Sequence, residues 1–280
     1  VEMESSECSI CGERTQIKSQ LYWCKECNVP MYESKCPVCN SKGKLIGTDL
    51  RPVFPEERLL LEILINEPFK FKEASVWNTS GNRYIVDGTK LRYSQKDLMK
   101  MDPDEVISKL KEYSSENNYE IFDKYIRKFI EVNQDRYNFL VTEATNFIIS
   151  QKKTYKDDET FVSFSGGKDS TVVSDLVIRA LGMPSIIHIF GDTTLEFPMT
   201  EEYADRFRKA HKKTPFLSAR NKEKNFYDMC EVVGPPSRVM RWCCTVFKTG
   251  AITKRINTTF KDKKKILTFY GIRRSESASR

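Results

Sequence analysis

The stretch Ser163-Phe-Ser-Gly-Gly-Lys-Asp-Ser170 decides how this chain is read. A short apolar push, Phe161-Val162, precedes it, and the apolar run Thr171-Val-Val-Ser-Asp-Leu-Val-Ile178 follows with helical character. Strand, glycine turn and helix together aim backbone N–H groups and a helix N-terminus at an anion. Gly166 and Gly167 let the backbone approach a phosphate closely, Lys168 adds a point charge, and Ser165 and Ser170 supply hydroxyls. The spacing is not that of a Walker loop, which needs four residues between its first glycine and the Gly-Lys pair.

Outward from this loop the pattern alternates. Strands are expected at 161–164, 186–190 and 266–270, with helices at 172–181 and 200–212. Such alternation implies a doubly wound parallel α/β sheet with ligands at the carboxyl ends of its strands.

The chain has nine cysteines, six of them in three C-x-x-C pairs: Cys8/Cys11, Cys24/Cys27 and Cys36/Cys39. Residues 1–48 carry too little apolar sequence for a core and need a staple such as structural Zn²⁺. Cys24, Cys27, Cys36 and Cys39 read as two facing knuckles, the favoured quartet; Cys8 and Cys11 could instead pair with Cys24 and Cys27, or belong to a site completed elsewhere. Residues 49–100 suggest a small β or α/β module, with a helix over 56–65 and two strands joined at Ser80-Gly81-Asn82. That module is read as a scaffold in preference to a nucleic-acid binder. Residues 101–157 read as a helical linker, starting at Asp102-Pro103 with proline at the first helical position, and a second amphipathic run covers 119–149. The nucleotide-binding domain is expected over 158–280.

Composition limits the function classes. Apolar residues make up 39% of the chain and charged residues 30%, enough for a core in a soluble protein. No apolar run approaches the ~18 residues of a membrane span, and the acidic N-terminus does not read as a secretory signal. Paired C-x-x-C motifs in that setting point to metal ligation in a reducing, cytoplasmic compartment. The net charge of +7 is uneven: residues 205–265 hold 17 Lys and Arg against 5 Asp and Glu. Such a segment suits a polyanion, either a phosphorylated nucleotide or a nucleic acid.

Three further elements join the loop. Asp192-Thr193 ends an apolar strand and leads to Phe197-Pro198; Cys243-Cys244 stands beside cations; Arg273, Arg274 and Arg280 follow the last strand. Together with the S-G-G-K-D-S loop, they resemble the phosphoadenosine-phosphosulfate (PAPS) reductase family of the adenine-nucleotide α-hydrolase-like superfamily, over roughly residues 160–280. Ser163 to Ser170 corresponds to that family's nucleotide loop, and Asp192 through Pro198 to its D-T-x-x-x-F-P signature. Arg273 to Arg280 corresponds to its arginine clamp. Cys243 and Cys244 look like half of the motif that ligates a [4Fe-4S] cluster in iron–sulfur members.

The resemblance implies a site made of Ser163, Ser165, Gly166, Gly167, Lys168, Asp169, Ser170, Asp192, Thr193, Arg273, Arg274 and Arg280. Lys168, Asp192 and Arg273 would lie nearest the chemistry. Its implied ligand is PAPS, adenylyl sulfate or ATP, its implied partner a thioredoxin-like dithiol or other electron donor, and its implied activity release of sulfite after thiol attack. A homodimer and a nucleic-acid partner are compatible with it. Two departures stand out. These 280 residues contain neither the family's tail cysteine nor a second C-x-x-C after Cys243-Cys244, and the loop is intact as in enzymes that cleave ATP between its α and β phosphates. The alternative is therefore an ATP pyrophosphatase, with Mg²⁺ on Asp169 or Asp192, adenylating an acceptor for sulfur transfer as in DNA phosphorothioation or tRNA thiolation. A third reading keeps the pocket for binding alone.

Overall fold

The computed structural model describes residues 20–116 and 119–272, together with two short strands among the first nineteen residues. The chain divides into two compact units, Val1–Leu140 and Val141–Arg280.

In the first unit, β1 (Ser5–Glu7) and β2 (Arg14–Gln16) form an antiparallel pair. A second antiparallel sheet comprises β3 (Leu21–Cys24), β4 (Val29–Met31) and β5 (Lys44–Gly47) in the order β4-β3-β5. A four-stranded meander follows, built from β6 (Arg51–Pro52), β7 (Val76–Ser80), β8 (Arg83–Val86) and β9 (Thr89–Arg92). Between β6 and β7 lies α1 (Pro55–Leu64), with proline at its start and Glu56 and Glu57 in its first turn, where acidic side chains complement the helix dipole. The expected turn at Ser80-Gly81-Asn82 joins β7 to β8, and a turn at Asp87-Gly88 joins β8 to β9. Alternation puts Trp77 and Ile85 on one face of the meander, where they meet Leu21, Trp23 and Ile46 of the preceding sheet in one apolar cluster. Trp77 is thus a core residue, its indole N–H donating to the Ser75 hydroxyl at 2.9 Å.

The helices α2 (Gln95–Leu98), α3 (Pro103–Tyr113) and α4 (Tyr119–Val132) complete this unit. Asp102 caps α3 by accepting from the Asp104 N–H at 2.9 Å. The amphipathic run expected as one helix over 119–149 is two: the helix breaks at Asn133 and resumes as α5 (Gln134–Lys152). Asn133 is buried, and its amide links α4 to the cysteine-bearing sheet. The side chain accepts from the Tyr32 N–H at 2.9 Å and donates to the carbonyls of Pro30 and Phe129 at 3.1 and 2.7 Å. The boundary between the units falls inside α5, within the segment read as a linker.

The second unit is a four-stranded, all-parallel sheet of β10 (Thr160–Phe164), β11 (Ile187–Asp192), β12 (Phe216–Arg220) and β13 (Leu267–Phe269), in the order β12-β11-β10-β13. Its helices are α6 (Lys168–Leu181), α7 (Pro198–Ala210), α8 (Phe226–Val233) and α9 (Gly250–Thr259). One face of the sheet, with Phe161, Ile189 and Ala219, packs against Ile252 and Ile256 of α9. The opposite face covers Val162 with Val177 of α6, and Phe164 and Phe190 with Ala204 and Phe207 of α7. Helices on both faces are the doubly wound arrangement read from the alternation. The sequence reading left out β12, α8 and α9. β12 is an edge strand of five residues with a single fully buried position, Ala219, so its apolar signal is weak. Among the described residues no helix is long and apolar enough to cross a membrane.

Candidate functional site

The sheet order sets the place of the site. From β10 the chain winds outward to β11 and β12, then returns to lay β13 on the other side of β10. The carboxyl ends of β10 and β13 therefore flank a topological switch point, where open α/β sheets leave a crevice.

The loop after β10 turns through Gly166, whose φ of +73° suits glycine. A Cβ at Gly166 would also stand 3.0 Å from the Thr200 methyl of α7. Gly167 is the N-cap of α6, and no side chain caps this helix. The first N–H groups of α6 thus keep their capacity to bind an anion. Ser170 staples the loop from beneath: buried, it accepts from the Ser165 N–H at 3.2 Å, lies 3.2 Å from the Ser165 hydroxyl, and donates to the Gly167 carbonyl at 2.9 Å. Its hydroxyl shapes the loop from inside, whereas Ser165 and Gly167 are exposed. Thr171 adds a second bond to the Gly167 carbonyl at 3.0 Å and meets the Tyr203 hydroxyl at 3.0 Å. The Lys168 side chain is 75% exposed and its ammonium is 3.2 Å from Asp169. Ser163 is half-buried within β10, one turn of the pleat before the loop.

Asp192 closes β11 with its side chain mostly covered. It accepts from the Thr194 N–H at 3.0 Å and faces Arg220, at 3.6 Å, from the end of β12. Thr193 is engaged by Glu196, donating at 2.8 Å, while Thr194, at a φ of +63°, accepts from the Phe226 N–H at 2.9 Å. The segment between β11 and α7 thus holds its own shape and aims Asp192 toward the carboxyl edge of the sheet.

Gly271 stands two residues past the end of β13. A Cβ there would stand 2.7 Å from the Asp169 carbonyl carbon and 2.9 Å from the Ser170 nitrogen, so this backbone runs against the first turn of α6. Sequence reasoning missed Gly271, Tyr203 and Arg220. For Gly271 the signal was a glycine between a strand and an arginine cluster; the other two lack any local pattern. Arg273, Arg274 and Arg280 lie outside the described residues, as do Cys8 and Cys11.

Cys243 and Cys244 are half-buried at the start of a π-helical turn, Cys244–Thr249, with the Cys244 N–H donating to the Arg241 carbonyl at 3.1 Å. Among the described residues no third metal-ligating side chain converges on them. His188 is fully buried and structural: Nδ1 meets the Ile186 carbonyl at 3.0 Å and Nε2 the Ser174 hydroxyl at 2.7 Å. Burial lowers its pKa below the ordinary 6.5.

In the first unit the ligand atoms of Cys24, Cys27, Cys36 and Cys39 all lie within 4.8 Å of one another. The sulfur pairs Cys24/Cys39 and Cys27/Cys36 are 3.3 and 3.7 Å apart. Thiolates about 2.3 Å from one tetrahedral ion would stand about 3.8 Å apart, so the set fits a single ion. Each knuckle ends in an asparagine at positive φ, Asn28 at 55° and Asn40 at 59°, which folds the chain back over the thiols. Burial raises the pKa of the Cys27 and Cys36 thiols, whereas the Ser41 hydroxyl and N–H hold exposed Cys39 at about 6.

Residues 159–280 match the model of the phosphoadenosine phosphosulfate reductase domain. Two uncharacterized proteins of Methanocaldococcus jannaschii, MJ0066 and MJ0973, are 33% and 31% identical to the chain over 167 residues, 59% of its length. The chain spans only 32% and 38% of those relatives. Among solved structures, the chain is similar to the phosphoadenylyl-sulfate reductase of Candida auris, with 13% identity and a TM-score of 0.37 over 51% of this chain and 68% of that one. It is also similar to the NH3-dependent NAD synthetase of Campylobacter jejuni, with 16% identity and a TM-score of 0.36 over 50% and 58%.

Proposed function

We propose that the second unit binds an adenylyl sulfate, plain or 3′-phosphorylated, and acts in its reduction to sulfite. The observation that carries this reading is the approach of Gly271 to the first turn of α6, within a segment that matches the model of the phosphoadenosine phosphosulfate reductase domain. It brings the end of the described chain against the uncapped start of α6, and Arg273, Arg274 and Arg280 follow in the sequence. The phosphate and sulfate oxygens would take N–H groups at the uncapped start of α6, with the Lys168 ammonium and the arginine forks as counter-charges. Asp192 would orient the ribose from the end of β11.

In the reaction, a thiolate attacks the sulfate sulfur and the bond from sulfur to the bridging phosphate oxygen breaks. The adenosine phosphate leaves as an anion, and Lys168 and Arg273 would stabilise the charge that grows on that oxygen. The resulting thiosulfonate is cleaved by a thioredoxin-like dithiol, which becomes a disulfide as sulfite leaves. The attacking thiol is not among the residues that form the loop. In the first unit, Cys24, Cys27, Cys36 and Cys39 would hold Zn²⁺; four thiolates leave no open position, so its role is to fold the ribbon.

A second reading is favoured by the intact loop and by two carboxylates beside it, Asp169 in the first turn of α6 and Asp192 at the end of β11. Here ATP replaces the sulfonucleotide, a carboxylate holds Mg²⁺, pyrophosphate leaves, and an acceptor oxygen is adenylated for replacement by sulfur.

Anaerobic calorimetric titration separates the two. Adenylyl sulfate or its 3′-phosphorylated form binding at least about tenfold more tightly than ATP with Mg²⁺, a margin of about 1.4 kcal/mol, is the expected result. Preference for ATP would transfer the assignment to the second reading.

A further inference from the structure

The first unit breaks a rule of sheet design on its surface. In the β8–β9 pair, Arg83 stands directly opposite Arg92. Like charges in register destabilise an antiparallel pair, and one substitution would relieve the conflict. Lys90 lies two residues from Arg92 along β9 and projects to the same side. All three side chains are exposed, and none forms an ion pair among the described residues.

These cations do not lie on an open face. They line a groove of about 440 Å³ between β5 and the β8–β9 hairpin, with Thr48 and Thr79 contributing hydroxyls and Asp49 the one carboxylate. Its other wall is bare at Gly47, where a Cβ would meet nothing within 4 Å. Local conflicts of this kind are expected at functional or strained sites.

We propose that this groove holds the sugar-phosphate backbone of a single-stranded nucleic acid. Lys90 and Arg92 are about 6.8 Å apart along an extended strand, a step suited to consecutive phosphates of an extended chain, and Arg83 sits across from the second of them. Arg forks and threonine hydroxyls match phosphate oxygens. Apart from the exposed carboxylate of Asp49, the groove's charged and polar side chains are cationic and hydroxylic, so it reads backbone and carries little base specificity. This site is separate from the nucleotide loop and stands whichever nucleotide that loop takes.

The test is fluorescence anisotropy with the intact, metal-loaded chain and labelled oligouridine and oligothymidine of about 12 nucleotides, between about 50 and 200 mM salt. Arg83→Ala/Arg92→Ala should weaken binding at least about tenfold at the lower salt. It should also reduce the slope of log K against log salt by about 1.4, since each single-strand phosphate contact contributes about 0.7. Gly47→Glu introduces a carboxylate into open space and should weaken binding without touching the arginines, so it serves if the double variant folds poorly. Metal content and circular dichroism confirm folding. Binding of both oligomers supports backbone recognition, and selective binding of oligouridine supports an RNA strand read through its 2′-hydroxyls. The assignment is overturned if wild type binds neither oligomer, or if polyglutamate competes as well as the oligomers do. It is equally overturned if both variants keep wild-type affinity and slope, which would put binding on the basic 205–265 segment.

Discussion

Gly271 touches the backbone of Asp169, joining the end of β13 to the beginning of the phosphate loop's helix. No side chain fits between them, because a Cβ would lie 2.8 Å from the Asp169 carbonyl oxygen. Gly271→Ala must therefore push the strand end away from α6. Overpacking of this kind costs about 1–3 kcal/mol, and the displaced segment is the one that leads to the arginines. The expected outcome is a lower urea midpoint together with weakened nucleotide binding. Wild-type affinity in this variant would sink the proposed path of the clamp.

Lys168 tests the loop without the fold. Its side chain is largely exposed and its contact with Asp169 is a surface pair, which adds little stability. Lys168→Ala should leave the thermal midpoint unchanged and weaken nucleotide binding at least about tenfold, or about 1.4 kcal/mol. Titration calorimetry beside a thermal melt reads both quantities.

Asn133 tests how α4 is tied to the cysteine-bearing sheet. Asn133→Ala leaves the Tyr32 N–H and the Pro30 carbonyl without their partner. Buried groups left unsatisfied cost about 1–3 kcal/mol each. Faster amide exchange in β4 and a lower unfolding midpoint are expected; unchanged exchange at Tyr32 would argue that water replaces the side chain.

The cysteine quartet makes a stoichiometric prediction. Elemental analysis should find one tetrahedrally held ion per chain in the wild type and in Cys8→Ser/Cys11→Ser. Cys36→Ser should lose it and unfold the β3–β5 sheet, whose buried residues Cys24, Cys27, Val29, Met31 and Cys36 form one cluster. Loss of metal in the Cys8/Cys11 variant alone would move the site to the alternative pairing.

His188 predicts the pH response of the second unit. Burial depresses its folded-state pKa below 6.5, so the unfolded chain binds a proton that the folded one refuses. Stability is then fully present above pH 6.5 and falls as pH drops through that value toward the depressed folded pKa, by up to about 1.4 kcal/mol per pH unit. His188→Gln should flatten the pH dependence of the unfolding midpoint between about pH 5 and 7. A slope identical to wild type would assign the effect to another group.

Much of this protein was legible in the chain itself. Glycine pairs, Asx caps and C-x-x-C knuckles act over a few residues, so the loop at 165–170, the start of α3 and the two cysteine knuckles follow from local chemistry. Short apolar runs likewise placed β10, β11 and β13, as burial on both faces demands, and their alternation with helices implied the parallel sheet.

The rest depended on contacts between distant segments. The cysteine spacing left two quartets open, and only the fold brings Cys24 and Cys27 onto Cys36 and Cys39. β12 gained its place from hydrogen bonds to β11, since an edge strand needs one buried face and shows little of it in its sequence. Asn133 broke a helix that periodicity would have continued, because its amide satisfies backbone groups about a hundred residues away. Gly271 acquired its meaning from a helix turn that follows a different strand. Local pattern determines which conformations a segment favours; which of them meet is decided by burial and hydrogen-bond satisfaction summed over the whole unit.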